Sequence, residues 1–508
     1  MDAPTRTTTA RCSLVDLLAY AGIRPEGRVV HSGVGIVALT DDSRAVGAGD
    51  CFVAVRGHSI DGHRFVESAV RAGAACVVVD QDVSVAGNCI VVRVPDTRAA
   101  LARLAAAYYS LRPADRCPLT LVGITGTNGK TTAAWMLRSI LSAAGHRSAM
   151  IGTVEYDLCG RRERAPLTTP GAIDLCRHLR SAADAGASHA VVEVSSHALD
   201  QRRCDGLRFG AGVFTNFSGD HLDYHGTREA YLAAKRRLFA ELPEDAVAVI
   251  NADDEVGAEM ARATRARVVR FGVGASSVDA RGRIVSLGRR GGAFEFTGVS
   301  TALRVGCPLV GRHNVLNALA AAATAEALGI EPGAIRRGLE GMTGVPGRLE
   351  RVGPQDCPFD VFVDYAHTDD ALDNVLRVLA PLTAGRLICV FGCGGDRDRS
   401  KRPRMGAAVG QLADVAYVTS DNPRTEDPRA IINEILPGFS GFSRCRVEVE
   451  ADRHRAIATA IANAEPGDTV LIAGKGHEDY QLIGDRMLHF DDCEAARNAL
   501  SLTAENAA

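Results

Sequence analysis

The sequence predicts an α/β protein of about three domains, and three observations carry that prediction. At 508 residues the chain is too long for one hydrophobic core. Short, continuously apolar runs, each closed by a polar or glycine-rich cluster, alternate with helical segments, the pattern of a parallel sheet covered on both faces. That rhythm breaks at "LRPADRCP" and restarts after "GVPGRLE". The breaks divide the chain into residues 1–115, 116–345 and 346–508.

Bulk composition excludes several classes. Apolar content of 46% with 23% charged residues is that of a water-soluble globular chain. A net charge of −3 gives no electrostatic case for nucleic acid or an anionic membrane as partner. No run approaches the roughly 18 apolar residues that cross a bilayer. The amino terminus, "MDAPTRTTTARCSLVDLLAYAG", lacks a basic start before an apolar stretch, so no signal peptide is expected. The fourteen cysteines are scattered singly, and the closest pair, Cys389 and Cys393, has no second pair to complete a zinc site. Buried free thiols in a reducing, cytoplasmic setting are expected.

The first segment shows short strands at "RVVHSGVGIVAL", "GDCFVAV", "AACVVVD" and "CIVVRV", then an Ala-rich helix from Thr97 to Leu111. The middle segment opens with "LTLVGIT", a glycine loop, and a helix from about Lys130 that Gly145 ends. Further strands follow at "HAVVEVS", "FGAGVFTNF" and "AVAVIN". The segment closes with the helix "GRHNVLNALAAAATAEALG", for which Asn314 is the expected cap and Gly329 the stop. The last segment reads "FDVFVDYAH", "RLICVFGCGG", "ADVAYVTSDNP" and "DTVLIAGKGHE". Each strand ends in a polar or glycine-rich cluster, where ligands bind in open α/β sheets.

The first such cluster, "GITGTNGKTT", lies between strand and helix, the context of a phosphate loop. It departs from G-x-x-x-x-G-K-[ST], because Ile124 occupies the first glycine position and Gly123 lies one residue early. Its backbone amides and helix amino end still suit phosphate oxygens, with Lys130 for terminal phosphates and Thr131 for Mg²⁺. Glu193 closes an apolar strand, where it either reaches a neighbouring metal or starts a helix. Asp220, His221, Asp223 and His225 crowd the end of the next strand, a cluster suited to metal or phosphate contact, with roles undivided by spacing. Lys235, in "YLAAKRRLF", reads alone as solvated helix face. Downstream, Arg397, Arg399, Lys401, Arg402 and Arg404, then Arg424, then Lys475, His477 and Glu478, form three clusters of mixed charge. Together they suit a zwitterionic substrate bearing carboxylates and amines.

At this point the chain resembles the Mur ligase family, whose ATP loop carries the extra residue of "GITGTNGKTT". The blocks "EVSSHALDQRR", "TNFSGDHLDYHG", "YLAAKRRLF", "GRHNVLNALAA", "VDYAHTDDAL", "GCGGDRDRSKRPRMG", "TSDNPRTEDP" and "AGKGHEDYQ" are similar, in order, to its diaminopimelate-adding branch. The resemblance covers nearly the whole chain. It implies an amino-terminal domain for the UDP end, a central parallel-sheet P-loop ATPase domain, and a carboxyl-terminal Rossmann-like domain for the incoming amino acid. It also implies a monomeric enzyme of peptidoglycan precursor synthesis, with ATP and Mg²⁺, UDP-N-acetylmuramoyl-L-Ala-D-Glu and meso-diaminopimelate as its small-molecule partners.

The implied roles follow the matched positions. Gly126, Thr127, Asn128, Gly129, Lys130, Thr131 and Thr132 would grip ATP, with Asn314, Arg348 and Asp364. Thr131, Glu193, His221 and Lys235 would hold magnesium, the lysine as its carbamate (N6-carboxylysine), and Lys130, Glu193, His221 and Lys235 form the implied catalytic set. Ser43, His58, Ser59 and Ile60 would contact the uridine nucleotide; Thr168, Thr169, Ser195, Gln201 and Arg203 the muramoyl peptide. Arg397, Asp421, Asn422, Pro423, Arg424, Gly474 and Glu478 would hold diaminopimelate. His367 is a candidate base for the amine. Asp369, where relatives commonly have proline, and Gly171, where they commonly have glutamate, depart from the pattern.

The implied reaction activates the D-glutamyl γ-carboxylate as an acyl phosphate, which the diaminopimelate amine attacks. Diaminopimelate differs from lysine by one distal carboxylate, which a guanidinium such as that of Arg424 can grip with two parallel hydrogen bonds. A lysine-adding relative, a folylpolyglutamate-type ligase, and a kinase or nucleotide-dependent binding protein are the rival readings.

Overall fold

The computed structural model describes residues 12–24, 33–57, 60–111 and 119–507. The chain divides into two compact units, Met1–Arg281 with Leu319–Gly338, and Gly282–Ala318 with Leu339–Ala508. Both are α/β, as the alternating apolar runs predict.

In the first unit, four short parallel strands, Leu39–Thr40, Cys51–Val53, Cys76–Val79 and Ile90–Arg93, form one sheet. The helix Thr97–Tyr108 follows; Asp96 caps it through the amides of Arg98 and Ala99. Of the expected long strand "RVVHSGVGIVAL", part lies outside the described residues, and the rest makes only Gly35–Ile36 and the start of Leu39–Thr40. The linker at residues 112–118 also lies outside them.

The larger sheet of this unit holds the strand Thr120–Thr125 near its middle. Parallel strands run in the order Ser148–Ile151, His189–Glu193, Thr120–Thr125, Phe209–Phe214, Val247–Asn251, Arg267–Gly272. The antiparallel strands Glu155–Asp157 and Arg162–Arg164 extend the Ser148 edge. Parallel pairing brings every carboxyl end to one edge, so the glycine loop, Glu193 and the Asp220 cluster emerge side by side. The helix Lys130–Ala143 buries Ala133, Ala134, Met136, Leu137, Ile140 and Leu141.

The second unit has a sheet ordered Glu350–Val352, Asp360–Asp364, Thr469–Ala473, Leu387–Phe391, Val415–Val418, Arg446–Val449, parallel except at its first pair. Alternate residues of the same strands enter two separate cores. Phe362, Cys389, Phe391 and Leu471 pack on one face, and Val361, Val363, Val390 and Ile472 on the other. Two buried faces explain why these strands read as unbroken apolar runs. Cys389 and Cys393 are buried thiols. Burial pushes Cys389 up, and Cys393 up to about 12.

A fully buried ion pair anchors the strand end that carries "GKGHE". Arg453 donates to both carboxylate oxygens of Asp492 (2.8 and 2.7 Å) and to the Ala473 carbonyl (3.0 Å). The bidentate geometry compensates the cost of taking both charges out of water.

The expected cap at Asn314 is corrected. The helix spans Arg312–Ala327, so Asn314 lies inside it, and its amide nitrogen donates to the Val310 carbonyl (2.8 Å) instead of accepting from a helix amide. Gly329 does end the helix, with its amide and that of Ile330 turned back onto Glu326 and Ala325.

Candidate functional site

The glycine loop is shaped by its neighbours as much as by its own residues. A Cβ at Gly126 would lie 1.9 Å from the Thr215 hydroxyl, so only glycine fits there. Thr215 and Asn216, at the end of the neighbouring strand, tie Asn128 down: both donate to its carbonyl (2.6 and 2.9 Å), and the Asn216 side-chain oxygen accepts from its amide (2.9 Å). Thr127 is buried against the Tyr231 hydroxyl at 3.1 Å. Gly129 takes a left-handed conformation and starts the helix, whose first turn presents Lys130, Thr131 and Thr132. The Lys130 ammonium donates to the carbonyls of Gly126 and Thr127, both at 2.8 Å.

Glu193 is fully buried, and its carboxylate faces this loop. Thr131 donates its hydroxyl to Oε2 (2.9 Å); Thr153 donates its amide to Oε1 (2.9 Å) and its hydroxyl to Oε2 (3.0 Å). The helix that follows is capped by Ser195, which removes the alternative reading of Glu193 as a cap.

Lys235 is not on a solvated helix face. It is 1% exposed, its ammonium reaches the Gly126 carbonyl at 2.8 Å, and it lies 4.3 Å from the Tyr231 ring centre. Burial, reinforced by the charge of Lys130 and opposed by Asp220, holds its pKa well below the ordinary lysine value. His221 takes a left-handed backbone beside Asp220, whose side chain accepts from its amide (2.8 Å). Its ring packs edge-on against His197 at 4.9 Å, and burial lowers its pKa. His197 itself, wedged among His221, Tyr224 and His225, is pushed down to about 4 by burial and by its histidine neighbours.

The donors at the loop are oxygen-rich. The Thr131 hydroxyl and the Glu193 carboxylate, 2.9 Å apart, are hard ligands of the kind Mg²⁺ takes. Lys235 as an ammonium is no ligand; as a carbamate it would add two more such oxygens.

The residues matched to muramoyl-peptide binding run on from Glu193 without a break. Thr169 donates to the Glu193 carbonyl (2.7 Å) and accepts from the Ser195 amide (3.0 Å). The Thr168 hydroxyl is 3.1 Å from that of Thr153. Arg203 donates to the Thr169 carbonyl (2.6 Å) and to the Gln201 side chain (2.7 Å), and Gln201 donates to the Tyr224 hydroxyl (3.0 Å). Ser43 and Ile60 sit in the amino-terminal part of the same unit, Ile60 exposed. His58 and Ser59 lie outside the described residues.

In the second unit the loops after two neighbouring strands converge. Arg424 has a left-handed backbone, and its guanidinium donates to the Gly395 carbonyl at 2.8 Å. A Cβ on Gly394 would lie 2.9 Å from that guanidinium and 3.8 Å from Arg397 Cγ, so the two arginines flank one turn. Asn422 donates to Glu478 (2.8 Å), and fully buried Lys475 reaches Asn422 (3.4 Å) and Glu478 (3.3 Å). Burial raises the Glu478 pKa, with Lys475 opposing. The Asp421 carbonyl accepts from the Gln481 side-chain amide (2.6 Å), and buried Pro423 leads into Arg424. Gly474 donates its amide to the Asp364 carbonyl (3.1 Å). Asp364 accepts from the amides of Leu349 (2.6 Å) and Ala366 (2.8 Å), burial raises its pKa, and Arg348 stacks on Tyr365 at 4.9 Å. His367 turns Nδ1 onto the Tyr365 carbonyl at 2.8 Å.

Three family models match in turn: the Mur ligase family catalytic domain over residues 35–109, the Mur ligase middle domain over 124–325, and the Mur ligase glutamate ligase domain over 347–476. The UDP-N-acetylmuramoyl-L-alanyl-D-glutamate–2,6-diaminopimelate ligase of Geobacter metallireducens is 46% identical over 480 residues, covering 90% of this chain and 93% of that one. The chain belongs to the Mur ligase family. The ligase of the same name from Gloeobacter violaceus is also 46% identical, covering 96% of this chain and 98% of its own. A solved structure of that name shares 34% identity with a TM-score of 0.71, covering 97% of this chain and all of its own.

One group of residues changes meaning. Of the basic cluster after the strand Leu387–Phe391, Arg402 is fully buried between Glu426 and Glu434, Arg399 also pairs with Glu434, and Arg404 pairs with Asp369. Arg402 is a structural residue, whereas Arg399 and Arg404 make exposed surface pairs that contribute little to stability. Asp369 itself lies in the first turn of the helix Asp369–Leu379, where a carboxylate complements the helix dipole. Sequence reasoning missed Thr153, Thr215, Asn216, Tyr231 and His197. Thr153 follows an apolar strand and the others follow strands or face the loop, so the strand-end rule carried a signal for most of them.

Proposed function

We propose that this chain is the ATP-dependent ligase that joins meso-2,6-diaminopimelate to the D-glutamyl γ-carboxylate of UDP-N-acetylmuramoyl-L-Ala-D-Glu. We read it as three domains, 1–115, 116–345 and 346–508, in a monomeric cytoplasmic enzyme of peptidoglycan precursor synthesis. Among the described residues no helix is long and apolar enough to cross a membrane. The observation that carries the reading is the second unit's pairing of an arginine turn, Arg424 with Arg397, and a half-buried acid, Glu478, joined through Asn422. Opposite charges on one short framework suit an amino acid whose far end bears both a carboxylate and an ammonium.

The first unit supplies activation. ATP's terminal phosphoryl passes to the γ-carboxylate, giving an acyl phosphate, because a free carboxylate is a poor acyl donor. The amides of Thr127 and Asn128 are spent on Asn216, so the helix amino end from Gly129 to Thr132 is the part that would meet phosphate oxygens, for which Lys130 would exchange its two carbonyl partners. Thr131, Glu193, His221 and carbamylated Lys235 would hold Mg²⁺, which when bound neutralises phosphate charge. Thr168, Thr169, Ser195, Gln201 and Arg203 orient the muramoyl peptide, while Ser43, His58, Ser59 and Ile60 hold its uridine end. Asn314, Arg348 and Asp364 are further nucleotide contacts that the family pattern implies. In the second unit Asp421, Asn422, Pro423, Gly474 and Glu478 orient the amine donor. The neutral amine attacks the acyl carbon, and phosphate leaves as the amide forms.

The test is phosphate release by the purified protein with ATP, Mg²⁺ and UDP-muramoyl dipeptide, supplied in turn with diaminopimelate, lysine and no amino acid. Release with diaminopimelate alone is expected; equal release with lysine would replace this reading by the lysine-adding one.

Carbamylation of Lys235 is a separate proposal, motivated by its burial and depressed pKa, since CO₂ adds only to a neutral amine. Native mass spectrometry in bicarbonate is expected to show one labile CO₂ adduct that the Lys235→Met variant lacks. An identical spectrum for the two proteins would remove it.

A further inference from the structure

We propose that Thr153, which no matched motif contains, is a positioning residue that aims the Glu193 carboxylate and sets the hydrogen-bond polarity of Thr168. The inference rests on the metal and peptide roles proposed for those two residues.

Three donors converge on the buried carboxylate, and Thr153 supplies two of them, one to each oxygen. A carboxylate held at both oxygens by one residue cannot rotate about its last bond without losing both contacts. The approach is close because residue 152 is glycine: a Cβ there would lie 2.1 Å from Glu193 Oε1. Gly152 and Thr153 thus form a turn shaped to this carboxylate, directly after the strand Ser148–Ile151.

The second consequence follows from proton counting. A carboxylate has no proton to give, and a threonine hydroxyl has one. Thr153 spends its proton on Glu193 Oε2 at 3.0 Å. Its 3.1 Å contact with the Thr168 hydroxyl therefore requires Thr168 to be the donor. The order is Thr168 to Thr153 to Glu193. Thr168, half-buried, then offers only lone pairs to a ligand, so it selects an N–H or O–H of the muramoyl peptide and opposes a carboxylate. One hydroxyl links the metal side of the site to the peptide side.

Thr153→Val keeps shape and amide but removes the hydroxyl; Thr153→Ser keeps the hydroxyl. After thermal melts establish that both fold, ADP binding is titrated against Mg²⁺ by calorimetry, and KM for UDP-muramoyl dipeptide is measured separately from kcat. Thr153→Val is expected to raise the Mg²⁺ concentration for half-maximal ADP binding by about 10- to 100-fold, the usual effect of losing a residue that orients a metal ligand. It should also raise KM for the dipeptide, and Thr153→Ser should restore both. An unchanged Mg²⁺ requirement in the valine variant, or a serine variant as impaired as valine, overturns the proposal. Failure of the wild type to release phosphate with the dipeptide would instead sink the functional reading, while the Mg²⁺ titration still separates the variants.

Discussion

Lys130→Met is expected to lower kcat about 1,000-fold while leaving UDP-muramoyl dipeptide binding unchanged, a loss of about 4 kcal/mol in transition-state stabilisation. The reason lies in what Lys130 does at rest. Its ammonium donates to the carbonyls of Gly126 and Thr127, both at 2.8 Å, on the loop proposed to meet the phosphates. Those bonds hold the charge over the loop, so little reorganisation is needed when phosphate oxygens replace the carbonyl partners. Phosphoryl transfer is catalysed chiefly by positioning and electrostatics, so losing this cation is costly in the transition state. Methionine keeps much of the side chain's bulk and none of its charge. Single-turnover phosphate release and dipeptide affinity, measured on the same preparation, separate the two quantities; a kcat within tenfold of wild type would contradict the assignment.

The second large effect concerns the choice of amino acid. Arg424→Ala should lower kcat/KM for diaminopimelate by about 150-fold, the low end of the 3–5 kcal/mol expected when one partner of a buried ion pair is removed. The low end applies because Arg424 is only half-buried. Its left-handed backbone is held by the ribbon that follows: its amide donates to the Leu482 carbonyl (3.0 Å) and its carbonyl accepts from the Gly484 amide (2.7 Å). The guanidinium is therefore presented in one direction before any ligand arrives. Lysine, lacking the distal carboxylate, should be affected far less, so the diaminopimelate-to-lysine ratio is the decisive readout. A variant that loses activity with both amino acids equally would show that Arg424 supports the loop and does not read the substrate.

Much of the candidate site was legible because parallel α/β sheets place their strand ends on one edge. Glu193, Thr131 and the Asp220 cluster could be grouped from sequence since each follows an apolar run. What stayed hidden had no local signature. Lys235 looks like any basic residue in a helix, yet its ammonium reaches Gly126, more than a hundred positions earlier, through the packing of the helix Arg228–Ala240. Arg402 looks like substrate-binding charge and is instead buried between two glutamates. Asn314 has the composition of a cap, but the helix begins two residues before it.

The order of elements, the doubly covered sheet of the second unit and the glycine loop between strand and helix could be read from the residues alone, because those follow from local periodicity and from where glycine must stand. The fold in three dimensions was needed to show that Arg402 is spent on Glu426 and Glu434, and that Thr153 donates to both oxygens of Glu193. Hydrogen bonds between residues distant in the chain depend on how strands are ordered across the sheet, and that ordering leaves no mark on the spacing of residues along it.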